Sequence, residues 1–200
     1  MENSNPKISV ITPSIRPEGL KVLQEGLQRQ TFKEFEWLVE IGFENKSDLN
    51  AALNRMARRA KGELLVFLQD HISINPDGLV RFYNAWKFKD AFYTASVNYD
   101  WRFEKLGKCS WLEWEIDWGA CGREALKKIG GFYETLDQYW GFDNVNAGLR
   151  AEMHRFEIIC IDNPATAAKH EEAPMKKNRN PEYHNRRLDE IRRGLKINYL

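Results

Sequence analysis

The chain has 200 residues, enough for one domain with a sizeable core, and no long polar stretch separates a second domain from it. A formal net charge of +1 excludes an overall field that would attract nucleic acid or anionic membrane, so any polyanion would have to bind locally. The three widely spaced cysteines fit neither a disulfide framework nor a cysteine metal site. Because no apolar run reaches ~18 residues and the first residues do not resemble a signal peptide, we expect a cytoplasmic protein without a transmembrane segment.

Strands and helices alternate along the first half of the sequence. Hydrophobic periodicity predicts strands at Lys7 to Thr12, Phe35 to Ile41 and Glu63 to Leu68, and helices at Pro17 to Gln30, Asp48 to Ala60 and Leu79 to Lys89. This alternation is typical of βαβ units. We therefore expect an α/β fold with a mostly parallel central sheet flanked by helices.

The second half has weaker periodicity. It predicts short strands at Phe92 to Val97 and Trp111 to Ile116, helices at Arg123 to Ile129 and Asp143 to Met153, and a last strand at Glu157 to Ile161. The polar, basic tail is expected to form an amphipathic helix with Leu188, Ile191 and Leu195 on its apolar face. Its charges suit a solvated helix face, an anionic membrane surface or a nucleic-acid contact, and the sequence does not separate these alternatives.

Asp70 and His71 directly follow the third predicted strand, where open α/β sheets place their ligands. A carboxylate beside an imidazole can hold a divalent cation, although the pair also suits an ordinary polar strand end. His170, beyond the last predicted strand, is either solvated or a further ligand beside His71. Asp143 opens a predicted helix, where a carboxylate serves either as a cap or as a base that takes a proton from a substrate hydroxyl.

Tryptophans are concentrated around the middle of the chain. The cluster comprises Trp101, Trp111, Trp114, Trp118 and Trp140. These rings suit either core packing or a platform on which a sugar or nucleobase stacks. Glu115 and Asp117, which lie beside them in sequence, are candidates to hydrogen-bond acceptor hydroxyls.

Several ordered blocks resemble family-2 glycosyltransferases. The blocks ISVITPS at 8–14, EFEWLVE at 34–40 and LNRMARRAKGELLVFLQDH at 53–71 are similar to their donor-binding half, and residues 119–150 are similar to their acceptor-side half. The resemblance implies a single-domain, Rossmann-like GT-A fold over 1–200. Its nucleotide-sugar and metal half would occupy about 7–100, its acceptor and catalytic half about 101–172, and its basic tail 173–200.

The resemblance also implies roles for individual residues. The reaction would move a sugar from a nucleoside-diphosphate sugar, with UDP-sugars favoured, to a hydroxyl acceptor with the help of Mn²⁺ or Mg²⁺. By this resemblance the nucleotide-sugar contacts are Thr12, Pro13, Ser14, Glu40, Asn54 and Asp70, the metal ligands are Asp70, His71 and His170, the catalytic base is Asp143, and the acceptor contacts are Trp118, Asp117 and Trp140. The acceptor itself could be a glycan, a lipid-linked glycan, a protein or a nucleic acid.

Two positions depart from the family pattern. Asn144 stands where the family usually has an aspartate base, and Gln69 stands where the metal motif usually begins with aspartate. Because asparagine cannot accept the proton, inversion and retention of the sugar's configuration both stay open. A non-catalytic module that binds a nucleotide sugar or nucleic acid is the main alternative. A nucleotidyltransferase is a weaker one, since TPSIRPEG at 12–19 is a poor glycine-rich phosphate loop.

Overall fold

A computed structural model describes residues 5–42, 48–97, 106–138, 143–167, 181–194, 196 and 198–200. The strands are β1 (Ile8–Ser14), β2 (Phe35–Ile41), β3 (Leu64–Leu68), β4 (Ile72–Ile74), β5 (Phe92–Val97), β6 (Gly107–Cys109), β7 (Trp118–Gly122) and β8 (Ile158–Ala167). The helices are α1 (Gly19–Gln28), α2 (Leu49–Arg59), α3 (Gly78–Phe88), α4 (Arg123–Lys128), α5 (Asp143–Met153) and α6 (Pro181–Arg192).

The strands form one sheet in the order β2-β1-β3-β7-β5-β8-β4, with β6 paired to β8. The strands β1, β2, β3, β5 and β8 run in one direction, so the predicted mostly parallel α/β sheet is confirmed. The antiparallel strand β7 lies between β3 and β5 and joins the two parallel parts. Sequence-distant segments therefore meet at the centre of the sheet.

Side chains alternate between the two faces of the sheet and fill two separate cores. Val10 and Val66 belong to the core that includes residues of α1 and α3, whereas Ile11 and Phe67 belong to the core that includes residues of α2, α4 and α5. This alternation follows from the period of two along a strand. Because both faces are covered, all residues of β1 and β3 are buried, and β3 is a continuous apolar run, as buried parallel strands often are.

The predicted strand at Trp111 to Ile116 is wrong. A 3-10 helix occupies Trp111–Glu113, and the strand that reaches the sheet is β7. Ser110 explains the helical turn, because its hydroxyl accepts from the Leu112 backbone N–H while the Glu113 carboxylate accepts from the Ser110 backbone N–H. This reciprocal capping box favours a helical start over an extended chain.

One further difference comes from pairing that the local pattern does not show. The last strand continues to Ala167 because its end pairs with the three-residue strand β4. In the tail, α6 buries Leu188 and Ile191 against Leu136 and Leu149, as the amphipathic pattern predicts. Leu195 lies outside the described residues.

Candidate functional site

The carboxyl ends of β1, β2 and β3 meet at one edge of the sheet. β1 lies between the other two and is parallel to both, with Pro13 opposite Glu40 and Ile11 opposite Phe67. Ser14 ends β1, and Asp70 follows β3 by two residues. The topology therefore brings the predicted loop residues and the Asp70 motif to the same edge, which is where open α/β sheets bind ligands.

The Asp70 carboxylate is the most strongly held polar group at this edge. Its side chain is 3% exposed. The Ser14 hydroxyl donates to Oδ2 at 2.7 Å, and the Arg16 guanidinium donates through Nη2 to Oδ1 at 2.7 Å. Burial alone would raise the pKa of Asp70, but hydrogen bonds from His71, Arg16 and Ser14, together with the positive charge of Arg16, lower it to about 2. Asp70 is therefore ionised at neutral pH.

His71 lies against the same carboxylate. Its ring nitrogen Nδ1 is 3.4 Å from Asp70 Oδ1 and 3.4 Å from Arg16 Nη2, and its side chain is 16% exposed. Two neighbouring ligands of one octahedral ion at ~2.1 Å would lie about 3 Å apart, so Asp70 Oδ1 and His71 Nδ1 fit a shared cation. Within the described residues, no group of three or more His, Cys, Asp or Glu side chains is arranged to hold a metal ion. The third predicted ligand, His170, lies outside those residues.

Helix α1 begins directly against Asp70. A Cβ atom on Gly19 would lie 2.7 Å from the Asp70 backbone oxygen, closer than real Cβ contacts come. Only glycine lets the first turn of the helix approach this closely. The positive end of the α1 dipole therefore lies beside the carboxylate, where it favours negative charge.

The other predicted nucleotide contacts have partners within the protein. Thr12 is buried, and its hydroxyl accepts from the indole N–H of Trp37 at 3.0 Å. The Glu40 carboxylate forms an ion pair with Arg55 of α2, with Nε to Oε1 at 3.0 Å. Glu40 keeps its position at the ligand edge beside Pro13, and the nucleotide roles of these residues stay predictions.

Asn54 does not have the surroundings of a ligand contact. Its side chain is buried, its amide group donates to the Phe132 backbone oxygen and the Glu134 carboxylate, and its oxygen accepts from the Phe132 backbone N–H. These bonds attach α2 to the turn after α4. Because its amide donors and its oxygen are engaged in them, we leave Asn54 out of the proposed nucleotide site.

Trp118 also has a packing role in place of the predicted acceptor contact. It is fully buried on β7, donates its indole N–H to the Asn163 backbone oxygen at 2.7 Å, and packs edge-to-face on Phe82. Trp114 is likewise fully buried. A ring with no exposed surface offers no platform for a sugar, so this part of the tryptophan cluster is core. Trp140 lies outside the described residues.

Asp117 reaches the ligand edge through the pairing of β7 with β3. Leu68 is opposite Trp118, and the next residue, Gln69, donates its backbone N–H to the Asp117 backbone oxygen at 3.2 Å. Asp117 is half-buried. The antiparallel strand thus brings an acidic residue that is distant in sequence next to the Asp70 motif.

Asn144, in the first turn of α5, is bonded to the segment before β7. Its amide group donates to the Trp114 backbone oxygen at 2.9 Å and to Glu115 Oε2 at 2.6 Å. Glu115 is buried. Asp143 begins α5, but its side chain lies outside the described part of the structure. The position that usually carries the base in family-2 glycosyltransferases therefore holds an amide in this chain. This amide donates a hydrogen bond to a carboxylate from another segment.

Arg16 is the site residue that sequence reasoning missed. It lies in the loop between β1 and α1, with its backbone N–H donating to the Ser14 hydroxyl at 3.0 Å. The available signal was a basic residue in the first βα loop, directly after the predicted nucleotide contacts. That signal was weak, because basic loop residues are common on protein surfaces.

The charges of α6 are largely balanced. Arg187 pairs with Glu190, and Arg192 pairs with Asp189 at 2.9 Å. These pairs suit the solvated-face reading of the tail helix, and a polyanion contact stays a prediction. None of the helices in the described ranges combines the length and apolar character that crossing a membrane requires.

Several solved structures are similar in fold to this chain. Mannosyltransferase PcManGT from Pyrobaculum calidifontis, in complex with GDP-Man and Mn²⁺, matches 86% of this chain and 59% of its own with a TM-score of 0.70 at 14% identity. S. aureus TarS 1-349 matches 81% of this chain and 60% of its own, with a TM-score of 0.62 at 16% identity. The same fragment in complex with UDP-GlcNAc matches 92% and 71%, with a TM-score of 0.64 at 14% identity.

These matches define the class of fold. The chain has the GT-A fold that these structures share. It spans about three fifths of the length of the first two of these structures. No protein-family model matches the sequence, and no curated protein matches it.

Proposed function

We propose that this protein is a glycosyltransferase that moves a sugar from a nucleoside-diphosphate sugar to a hydroxyl acceptor. The observation that carries the proposal is the buried, ionised Asp70 carboxylate at the ligand edge of a GT-A sheet, bonded to the loop after β1. Among the structural neighbours, PcManGT was solved with GDP-Man and Mn²⁺, and one TarS structure was solved with UDP-GlcNAc. Thr12, Pro13, Ser14, Glu40 and Asp70 are the proposed donor contacts, and UDP-sugars are the favoured donors.

We propose that Asp70 and His71 hold a divalent cation, Mn²⁺ or Mg²⁺, with His170 as a further ligand. The separation of Asp70 Oδ1 and His71 Nδ1 supports this assignment. A cation on Nδ1 would replace the proton that Nδ1 donates to Asp70, so the imidazole would carry its proton on Nε2. The ion would supply positive charge to the departing diphosphate. The protein's own contribution is to keep Asp70 ionised and fixed through Ser14 and the first turn of α1.

On the acceptor side, Asp143 is the proposed base and Asp117 and Trp140 are the proposed acceptor contacts. The contact of Asp117 with Gln69 supports its part in this surface, since it keeps Asp117 beside the Asp70 motif. The base would remove the acceptor's proton as the new glycosidic bond forms. Asp143→Asn is expected to lose transfer while keeping donor binding, and an active variant would show that the base lies elsewhere.

A non-catalytic nucleotide-sugar module is the second candidate. It is favoured by one observation, the engagement of the Asn144 amide with Glu115 at the position where the family usually has its base. Such a module would bind the same donors as the enzyme but would not release a nucleoside diphosphate from them. Release of a nucleoside diphosphate from the donor therefore distinguishes the enzyme from the non-catalytic module.

A thermal-shift panel tests the donor and cation assignments. UDP, GDP, CDP and dTDP, and their common sugars, are added with and without Mn²⁺ to the wild type and to His71→Ala. A ligand at ~100 times its dissociation constant stabilises a fold by about 2.7 kcal/mol, so one nucleotide class should give a Mn²⁺-dependent shift in the wild type.

The matched control is His154→Ala, which removes an exposed histidine that follows α5. We expect His154→Ala to keep the Mn²⁺-dependent shift and His71→Ala to lose it. A shift that is equal in all three proteins would overturn the cation assignment, and the absence of any nucleotide shift in the wild type would overturn the donor site.

A further inference from the structure

The Arg16 guanidinium lies against both atoms that a cation shared by Asp70 and His71 would bind. Nη2 lies 2.7 Å from Asp70 Oδ1 and 3.4 Å from His71 Nδ1, so one nitrogen faces both donor atoms. Nε adds a longer contact of 3.5 Å to Asp70 Oδ2. In this structure the carboxylate is thus already neutralised by a positive charge of the protein.

A divalent ion bonded to these two atoms would lie close to this guanidinium. Even on the side of the two donor atoms that faces away from Arg16, an ion at ~2.1 Å from both would lie within about 4 Å of Nη2, and two like charges at that separation repel strongly where water is scarce. The binding of a cation therefore favours movement of the Arg16 side chain away from Asp70. Breaking its ion pair with Asp70 opposes the binding of the cation alone.

Backbone hydrogen bonds hold the loop on both sides of Arg16, whereas the Arg16 side chain is partly exposed. The Arg16 N–H donates to the Ser14 hydroxyl, and the Arg16 carbonyl accepts from the Gly19 N–H at 3.0 Å, which fixes the main chain on both sides. The Arg16 side chain is 19% exposed, whereas that of Asp70 is 3% exposed, so part of the arginine side chain faces solvent. We expect rotation about its side-chain bonds to release the carboxylate.

An arginine that has moved away from Asp70, beside the proposed nucleotide site, can bind the phosphate groups of the nucleotide. The planar guanidinium binds phosphate oxygens through two parallel N–H donors, a geometry that a lysine cannot reproduce. We propose that Arg16 is a latch on the cation site: it holds Asp70 in the donor-free protein, and it moves to the diphosphate when donor and divalent cation bind together. The proposal rests on the proposed function for its diphosphate part, whereas its cation part needs no nucleotide.

The latch makes cation and nucleotide binding cooperative. The nucleotide removes Arg16 from Asp70 and so strengthens cation binding, and by thermodynamic reciprocity the cation strengthens nucleotide binding by the same factor. Roughly tenfold coupling is expected, within the usual range for two linked sites. Without the arginine charge, this part of the coupling disappears.

Titration calorimetry of three variants tests the latch. Mn²⁺ is titrated into wild type, Arg16→Gln and Arg16→Lys, first alone and then with the nucleoside diphosphate that gives the thermal shift. The control is Arg29→Gln, which removes an exposed arginine just after α1. Far-ultraviolet circular dichroism and a thermal melt check that each variant is folded.

Arg16→Gln should bind Mn²⁺ alone at least about tenfold more tightly than wild type, and should bind the nucleotide in saturating Mn²⁺ at least about tenfold more weakly. Arg16→Lys should keep Mn²⁺ affinity near that of wild type because it keeps the charge, but should lose nucleotide affinity because it lacks the planar fork. The lysine variant also keeps the test valid if Arg16→Gln does not fold.

Two outcomes would overturn the latch: Mn²⁺ affinity that Arg16→Gln leaves unchanged, or the same cation-nucleotide coupling in Arg16→Gln as in wild type. If the wild type binds Mn²⁺ and nucleotide as proposed in either case, the donor function survives and only the latch fails. A third outcome is that Arg16→Gln binds Mn²⁺ more tightly than wild type but neither protein binds a nucleotide. This outcome would support Arg16 as the competitor of the cation. It would overturn the diphosphate role of Arg16 and the donor function.

Discussion

Replacing Asp70 with asparagine removes one negative charge from a buried network without changing the size of the side chain. The carboxylate accepts from Ser14 and Arg16 at 2.7 Å each and is 3% exposed. Against the opposing effect of burial, a hydrogen bond from His71 and these interactions lower its pKa from 3.8 to about 2. Because a tenfold change in proton affinity corresponds to ~1.4 kcal/mol, the ionised carboxylate contributes about 2 kcal/mol to the free energy of unfolding.

The sign of the pH dependence follows from the direction of this pKa. A carboxylate with a lower pKa in the folded state than in the unfolded state stabilises the fold fully above its unfolded pKa of 3.8. That contribution is lost as the pH falls toward 2. Asp70→Asn should therefore be about 2 kcal/mol less stable than wild type at neutral pH, and the difference should shrink below about pH 4.

Urea unfolding followed by tryptophan fluorescence at pH 7 and at about pH 2.5 measures this difference. Asp189→Asn is the control, because its ion pair with Arg192 on α6 is half-exposed and should contribute no more than ~1 kcal/mol. An Asp70→Asn variant as stable as wild type at neutral pH, or a stability difference that does not change with acid, would refute the account of this network.

Three further substitutions probe the surroundings of the site. Gly62→Ala should lose at least ~2 kcal/mol in urea unfolding, because its Cβ would lie 2.4 Å from the Ser9 backbone nitrogen; a fully stable variant would contradict this packing. Asn144→Asp would put a second carboxylate against Glu115 and should lose ~1–3 kcal/mol near neutral pH but less at about pH 4.5; equal losses at the two pH values would contradict the contact. Burial, and after it the neighbouring acidic charges, raises the pKa of Tyr93 to about 12. The neutral phenol therefore stabilises the fold fully below its usual pKa of 10.0, and this stabilisation is lost as the pH rises toward 12. Tyr93→Phe should therefore be less stable than wild type at about pH 8, with a smaller difference at about pH 11.5, and parallel pH profiles would count against it.

The sequence predicted the elements in the first half of the chain well because each carries its own local signal. β3 is a short apolar run, β1 begins with Ile8, Val10 and Ile11, and α2 has an apolar face, so tertiary contacts only reinforce the local preference. The prediction for segment 111–122 failed because this segment lacks an unambiguous local signal. Its tryptophans are apolar enough for a strand at several registers, and the capping box at Ser110 decides where the helical turn begins.

The location of the candidate site could be predicted, but its contacts could not. Strand-end position alone indicates that Ser14 and Asp70 share an edge, since parallel strands end together. The pairing of Arg16 with Asp70 and of Asn144 with Glu115 joins loops that have no period and lie 54 and 29 residues apart. Such contacts depend on the directions of side chains in three dimensions, which a pattern in one sequence does not carry.

Release of free nucleoside diphosphate from donor sugars tests the central claim most directly. Wild type, His71→Ala, Asp143→Asn and His154→Ala are incubated with the donor that gives the thermal shift, in Mn²⁺, with water or simple sugar hydroxyls as acceptor. The account predicts nucleotide release by wild type and His154→Ala and its loss in the other two variants. Donor binding without release by the wild type would contradict the enzyme assignment and favour the non-catalytic module.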